Sequence, residues 1–375
     1  MDSTPLRRAA RAGFAVAIGL TVSSALEVVP ATASPGASVN AESPPARVLP
    51  VVERRGRGLL AGGRRFRVWG FNYGVGDRYP ILAYFHRPTK RRLHRVVADM
   101  REARALGANT LRIYLELGTF MNGPGAPDRH ALDALADLLA RAERLGVYLD
   151  ITGDLVWRAA PAWYDALPEH ARWAVQACFW RAVARVAAHS PAVLVYELTS
   201  EPVIEESDLW YGGEFGGYTF QQRIVRHIRG RSPSALARRW IRLLRHSIHA
   251  YDHRHLIGLG MLPEPAGPFG AANVADLLDV LLVHEYPEEG KANEAIALVH
   301  RFSAEGKPVI VGETAPLWAT PDTWRVFLCG SRPSVDGYLA FYDGRTPSQL
   351  AGDPGAALLA DMLGQFLSLR STLTS

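Results

Sequence analysis

Two glutamates, each closing an apolar run, are the residues in this sequence that first suggest chemistry. Glu201 ends Val193 to Ser200 and meets Pro202, while Glu313 ends Pro308 to Gly312 and meets Thr314. Short apolar, β-branched runs of this kind are typical of strands buried on both faces of a parallel sheet, which puts each carboxylate at a C-terminal strand tip. In a closed parallel barrel the tips share one face, so the two glutamates could meet across a cleft despite their distance in sequence. Paired carboxylates facing a pocket are the apparatus of glycoside hydrolysis. Either one alone reads better as a surface glutamate following a core strand, and the case rests on what accompanies them.

Other residues strengthen the pairing. Arg112 lies between Leu111 and Ile113 inside an apolar run, where a buried guanidinium calls for a carboxylate partner, and Glu313 is a candidate across the axis. His284 and Tyr286 share a strand face and can both enter the barrel mouth. Glu197 has the same parity as Glu201 but lies four residues deeper, and it reads as a satisfied core carboxylate. His284 stands beside Glu285, yet no His-x-His or Cys cluster accompanies it, so no metal and no cofactor is expected. The stretch Trp210 to Tyr218 offers aromatics on glycine hinges that could stack on sugar rings or pack as a loop.

The elements that must position these residues repeat as strand then helix. Arg65 to Gly74 reads as a first strand, followed by a loop with Tyr79, Tyr84 and Phe85. Next comes a helix through Leu93, Val96, Val97, Met100, Ala103 and Leu106 that stops at Gly107. Thr110 to Leu115 is a second strand, and Val147 to Thr152, after a helix closed by Gly146, a third. Helices over Glu169 to His189, Ser234 to Tyr251, near Val274, and over Ala292 to Ala304 alternate with the fourth to seventh strands. The fourth and seventh carry the glutamates, and the fifth and sixth are Leu256 to Gly260 and Leu278 to Tyr286. Gly337 to Tyr342 is the eighth, and an amphipathic helix through Leu358 and Phe366 follows it. Eight such units predict an α/β fold, a single (β/α)8 TIM barrel. An open doubly wound sheet is disfavoured because no glycine-rich phosphate loop follows the first strand.

The set "LRIY" with Arg112, "ELTSEP" with Glu201, "VHEY" with His284 and Tyr286, and "PVIVGET" with Glu313 resembles clan A glycoside hydrolases, especially the family five cellulase and mannanase group. The likeness runs from Trp69 to Tyr342. It implies that Glu201 is the general acid/base and Glu313 the nucleophile of a retaining mechanism, with Arg112, Ser200, His284, Tyr286 and Phe341 binding substrate. Three positions depart from the family pattern. Ser200 stands where the family has Asn, Phe341 or Tyr342 must serve where it places Trp, and the third strand ends Thr152-Gly-Asp154 rather than on histidine.

Composition sets the outer bounds. The chain has 375 residues, 48% hydrophobic and 21% charged, which suits one globular domain of barrel size over residues 48–375. Arg7, Arg8 and Arg11 precede a short apolar stretch and Ala31-Thr-Ala33, so residues 1–33 read as a cleaved secretory signal and 34–47 as a flexible lead-in. The net charge of +5 is spread over many helices and interleaved with acids, which argues against a nucleic-acid partner. Cys178 and Cys329 fall on helices far apart around a barrel and are expected to be free thiols. The expectation is a secreted, monomeric retaining β-glycosidase with no stable membrane association, acting on a polysaccharide or oligosaccharide such as β-glucan or β-mannan. The alternatives are a non-catalytic glycan-binding barrel and a transglycosylase using the same carboxylates.

Overall fold

A computed structural model describes residues 49–73, 80–154, 160–206, 211–215 and 218–375. The expected export signal and lead-in, Tyr79, and Trp210, Gly216 and Gly217 of the aromatic loop lie outside these residues.

Eight parallel strands close into a barrel in sequential order: β1 (Val68–Tyr73), β2 (Thr110–Glu116), β3 (Tyr148–Asp154), β4 (Val193–Ser200), β5 (Leu256–Met261), β6 (Leu281–His284), β7 (Val309–Glu313) and β8 (Gly337–Tyr342). Between and after them run α1 (Lys90–Ala105), α2 (Arg129–Leu145), α3 (Glu169–Ala187), α4 (Pro233–His249), α5 (Ala271–Val274), α6 (Ala292–Ser303), α7 (Pro321–Ser331) and α8 (Ala357–Ser368). Local chemistry sets the helix ends. Asp128 caps α2 by accepting from the Ala131 amide, and Gly146 ends it in the left-handed conformation. Ser232 caps α4, with Pro233 in its first turn. The two cysteines are free, as the ring placement of their helices implied.

Strand alternation divides the apolar residues into two layers. Trp69 and Phe71 face outward, and the Trp69 ring stacks on Phe366 of α8 at 3.8 Å between centroids. Val68, Val195, Leu282, Ile310 and Leu339 face inward and form the barrel floor. A three-stranded antiparallel sheet (Val52–Arg55, Gly58–Ala61, Arg64–Phe66) closes that floor from below through Val52 and Leu59, both fully buried. The far end of the barrel is thereby left as the open mouth.

This small sheet corrects the expected start of the first strand. Arg65 and Phe66 pair with the hairpin, and the barrel begins at Val68. Only Arg67 separates Phe66 from Val68, so no turn residue marks where the chain changes sheet. The sixth strand is also shorter than expected and stops at His284. The stretch around Tyr84 and Phe85, expected as loop, is a short helix (Pro80–His86) that buries both rings. After β4, Tyr211–Phe215 and Tyr218–Arg223 form an antiparallel pair beside Pro202–Val203 rather than a loop on glycine hinges. Among the described residues no helix is long and apolar enough to cross a membrane.

One outer cluster yields a stability prediction. Burial opposes charge on Asp252, but its bond to His255 Nδ1 (2.6 Å), the Tyr196 hydroxyl (2.7 Å) and the Arg254 amide (2.8 Å) hold its pKa down at about 2. A depressed carboxylate adds stability that is present above its unfolded pKa of about 4 and is lost as pH falls through the folded value. Asp252→Asn should therefore cost about 2 kcal/mol at pH 7. The difference in melting temperature from the parent should shrink between about pH 4 and pH 2; a gap independent of pH would refute the assignment.

Candidate active site

Arg112 is the hub of the barrel mouth. It projects inward from β2, is fully buried, and donates on every side of its guanidinium. Nε and Nη2 form a fork onto Glu197 at 2.7 and 2.6 Å. Nε also reaches Thr152 Oγ1 at 3.0 Å, and Nη2 reaches Ser200 Oγ at 3.3 Å. Nη1 donates to Asn72 Oδ1 (3.0 Å), to the Tyr114 hydroxyl (2.8 Å) and to Glu313 Oε1. Glu197 is thus a satisfied core carboxylate as expected, and Arg112 is what satisfies it. The single partner anticipated for Arg112 turns out to be two.

Both candidate glutamates leave their strands at a break in register. On β7, Val311 stands opposite Val283 but Glu313 opposite His284, so two steps on β7 match one on β6. Ile310 faces the barrel interior, and strict alternation would send position 313 out among the helices. The extra residue at Gly312 turns the Glu313 carboxyl into the mouth. On β4, Glu197 and Ser200 stand opposite Gly258 and Gly260, three steps against two. The bulge brings Ser200 inward, and the left-handed backbone of Glu201 (φ 45°) keeps the next side chain there too. Its amide donates to Gly260 O at 2.9 Å, which holds that turn. A Cβ at Gly260 would collide with Glu197 Oε1 and lie 3.1 Å from His284 Nε2, so only glycine fits here.

These turns bring an oxygen of Glu201 within 4.8 Å of an oxygen of Glu313. His284 bridges them, its Nδ1 2.8 Å from Glu201 Oε1 and 3.7 Å from Glu313 Oε2. The Tyr286 hydroxyl donates to Glu313 Oε2 at 2.7 Å, and Phe341 lies parallel to the Tyr286 ring, 6.4 Å between centroids. Tyr342, the other aromatic expected to serve, is turned outward and donates to Glu102 at 2.7 Å. The third-strand departure is placed in part. Thr152 lies in the Arg112 network, and Asp154 is described in its backbone only.

The environment separates the two carboxyls. Burial would raise Glu313, but His284, Arg112 and the Tyr286 hydroxyl outweigh it and hold its pKa below the usual range. Burial raises Glu201, and repulsion from Glu313 adds to this against the opposing pull of His284 and Arg112. Two neighbouring acids pushed apart in this way suit one anion and one proton donor. Glu201, His284 and Glu313 each offer an atom with which a cation could be held. The hydrogen bonding is already committed otherwise, since each Glu313 oxygen holds a donor and His284 Nδ1 is bonded to Glu201.

The sequence reading missed Asn72 and Tyr114 as members of the site. Asn72 anchors the network by donating to Gly312 O at 2.9 Å, beside the β7 bulge, while its Oδ1 accepts from Arg112. Tyr114 shares the strand face of Arg112, and that parity was the available signal.

The fold and this site together define a (β/α)8 barrel with a two-carboxylate centre at its C-terminal mouth. No protein-family model matches the sequence, and no curated protein sequence matches it either. Solved structures do match in fold. An exo-β-1,4-mannosidase from Opitutaceae bacterium strain TAV5 is 17% identical with TM-score 0.59, over 85% of this chain and 61% of that one. The chain therefore spans under two thirds of that protein's length. A GH5_18 structure from Bifidobacterium longum subsp. infantis is 14% identical with TM-score 0.62, over 83% of this chain and 80% of that one. An endo-1,4-β-mannanase from Rhizomucor miehei is 14% identical with TM-score 0.58, over 86% of this chain and 99% of that one.

Proposed function

We propose that the protein is a retaining β-glycosidase, with Glu313 as nucleophile and Glu201 as acid/base. The observation that carries this reading is that the two carboxyls face each other across His284 at the mouth, with one oxygen of each within 4.8 Å of the other. Double displacement requires a separation of about 5–5.5 Å, whereas an inverting enzyme needs about 6.5–9.5 Å to admit a water. Glu313, held as the anion, attacks the anomeric carbon while Glu201 protonates the departing oxygen. Oε2 of Glu201 has no partner among the described residues and is free for that task. Once Glu313 is consumed in the glycosyl-enzyme its repulsion disappears, the Glu201 pKa falls, and Glu201 becomes the base that activates water. The test is the anomeric configuration of the first product, read by NMR; inversion would overturn the mechanism.

The substrate proposed is a β-1,4-linked mannan, with β-glucan as second choice. The resemblance of "ELTSEP" and "PVIVGET" to the cellulase and mannanase group supports this, as do the mannosidase and mannanase activities of similarly folded proteins. A reducing-sugar assay on mannans, glucans and xylans tests it. Polysaccharide binding without release of reducing ends would favour the non-catalytic reading. Export through residues 1–33 is part of the proposal, supported by the sequence pattern and checked by the N-terminus of secreted protein.

Two kinetic predictions follow from the electrostatics. The pH profile of kcat/KM should be bell-shaped. Activity should rise as pH passes the lowered pKa of Glu313 and fall as it passes the raised pKa of Glu201. Tyr286→Phe removes a hydrogen bond to a charged group, worth about 1.5–3 kcal/mol, and should lower kcat/KM by about 10- to 100-fold. Its acidic limb should move to higher pH, because Glu313 loses a donor that favours the anion. An unshifted limb would count against the role given to Glu313.

A further inference from the structure

One titratable group in the barrel interior has no part in the chemistry above. Asp150 lies on β3 one inward step below Thr152, with its backbone in register with Arg112 on β2. It is fully buried, and neither carboxyl oxygen meets a donor. Its acidic neighbour is Glu197 on β4, where Val195 stands opposite Asp150 and Glu197 opposite Thr152, and the two carboxyls interact. Two carboxylates bring only acceptors to such a contact, which is favourable only when one of them carries a proton. Both Glu197 oxygens already accept from Arg112, and Oε2 also accepts from Thr152 at 3.0 Å. The proton therefore belongs on Asp150. Burial and the charge of Glu197 both push the Asp150 pKa well above the ordinary carboxyl range, and Arg112 only partly opposes them.

We propose that Asp150 is a positioning residue, a neutral acid that donates to Glu197 and thereby governs how Arg112 is shared between Glu197 and Glu313. Its kinetic consequence rests on the glycosidase reading, but its protonation does not. One guanidinium serves two carboxylates here, and each wants its donors. A hydrogen bond into Glu197 from below meets part of that demand and leaves Nη1 of Arg112 for Glu313. An ionised Asp150 would instead put a third negative charge around a single cation and draw Arg112 away from Glu313.

The first test is independent of activity. Infrared difference spectra of protein with carboxyl-labelled aspartate, parent minus Asp150→Asn at neutral pH, should show one protonated carboxylic acid band lost in the variant. Its absence overturns the proposal even if the enzyme turns over. A protein that carries the band yet hydrolyses nothing fails only the glycosidase reading. The second test is kinetic. Asp150→Asn keeps a neutral N–H donor, and kcat/KM should stay within about twofold with the acidic limb in place. Asp150→Ala removes the donor, so kcat/KM should fall on the order of tenfold and the acidic limb should move upward. A cavity alone would lower the melting temperature without moving that limb. Asp150→Asn as impaired as Asp150→Ala, or an unmoved limb in Asp150→Ala, would overturn the coupling. If the alanine variant does not fold, the infrared band and the Asn variant still decide the question.

Discussion

Replacing Glu313 with alanine is expected to reduce turnover on the order of a millionfold, the scale seen when a covalent nucleophile is removed. The melting curve should hardly move. Arg112 keeps its fork onto Glu197, so no buried cation is stranded. The loss should also be chemically informative. The vacated space beside Tyr286 can admit a small anion such as azide, which would attack the anomeric carbon directly and give a product of inverted configuration. Glu201→Ala makes the contrasting case. It removes proton transfer, worth about 10²- to 10⁴-fold. Substrates whose leaving groups need no proton should be spared in the first step, and azide should then intercept the glycosyl-enzyme with net retention. Opposite stereochemistry in the two variants would fix both roles. Full activity in either variant, or the two outcomes exchanged, would reject the assignment.

Arg112→Met should give the largest loss of stability, about 3–5 kcal/mol, because removing one partner of a buried ion pair leaves charge without compensation. Here the one cation serves two carboxylates. The pH dependence separates this cause from lost packing. Without the guanidinium, only His284 and the Tyr286 hydroxyl would still oppose burial at Glu313, and its pKa should rise from its lowered position. The stability that Arg112 lends to an ionised Glu313 is present above the unfolded carboxyl pKa and is lost as pH falls through the lowered folded one. The variant should accordingly approach the parent in stability as pH falls below the ordinary carboxylate range. A deficit equal at all pH values would point to the lost side-chain volume instead. Activity should fall as well, with the acidic limb moved to higher pH, since Glu313 loses a donor that favours the anion.

Much of the fold was legible because it is written in local periodicity. Apolar runs such as Val193 to Ser200 and amphipathic helices such as α2 need only near neighbours to be recognised, and eight repetitions leave few architectures. The misreadings came where one element hands over to another. Arg65 and Phe66 run into β1 with no turn residue between although they belong to a different sheet, and Pro80–His86 is short enough to pass for a loop.

The candidate site divides along the same line. The sequence by itself determined which side chains stand at strand tips and that a buried Arg112 must find a carboxylate, because composition and burial follow from local pattern and solvation cost. Only the tertiary structure decided which oxygens meet. Counting by twos along β7 would turn Glu313 out of the barrel; the bulge at Gly312 turns it in, and that bulge arises from register with β6 rather than from β7 alone. The opposite pulls on the two carboxyls also arise in three dimensions. Glu313 and Glu201 are chemically identical and both buried, and they differ because Arg112 and Tyr286 donate to Glu313 while Glu201 bonds only His284 and feels the charge of Glu313. A pKa depends on distances among groups far apart in the chain, and those distances exist only once the barrel has closed.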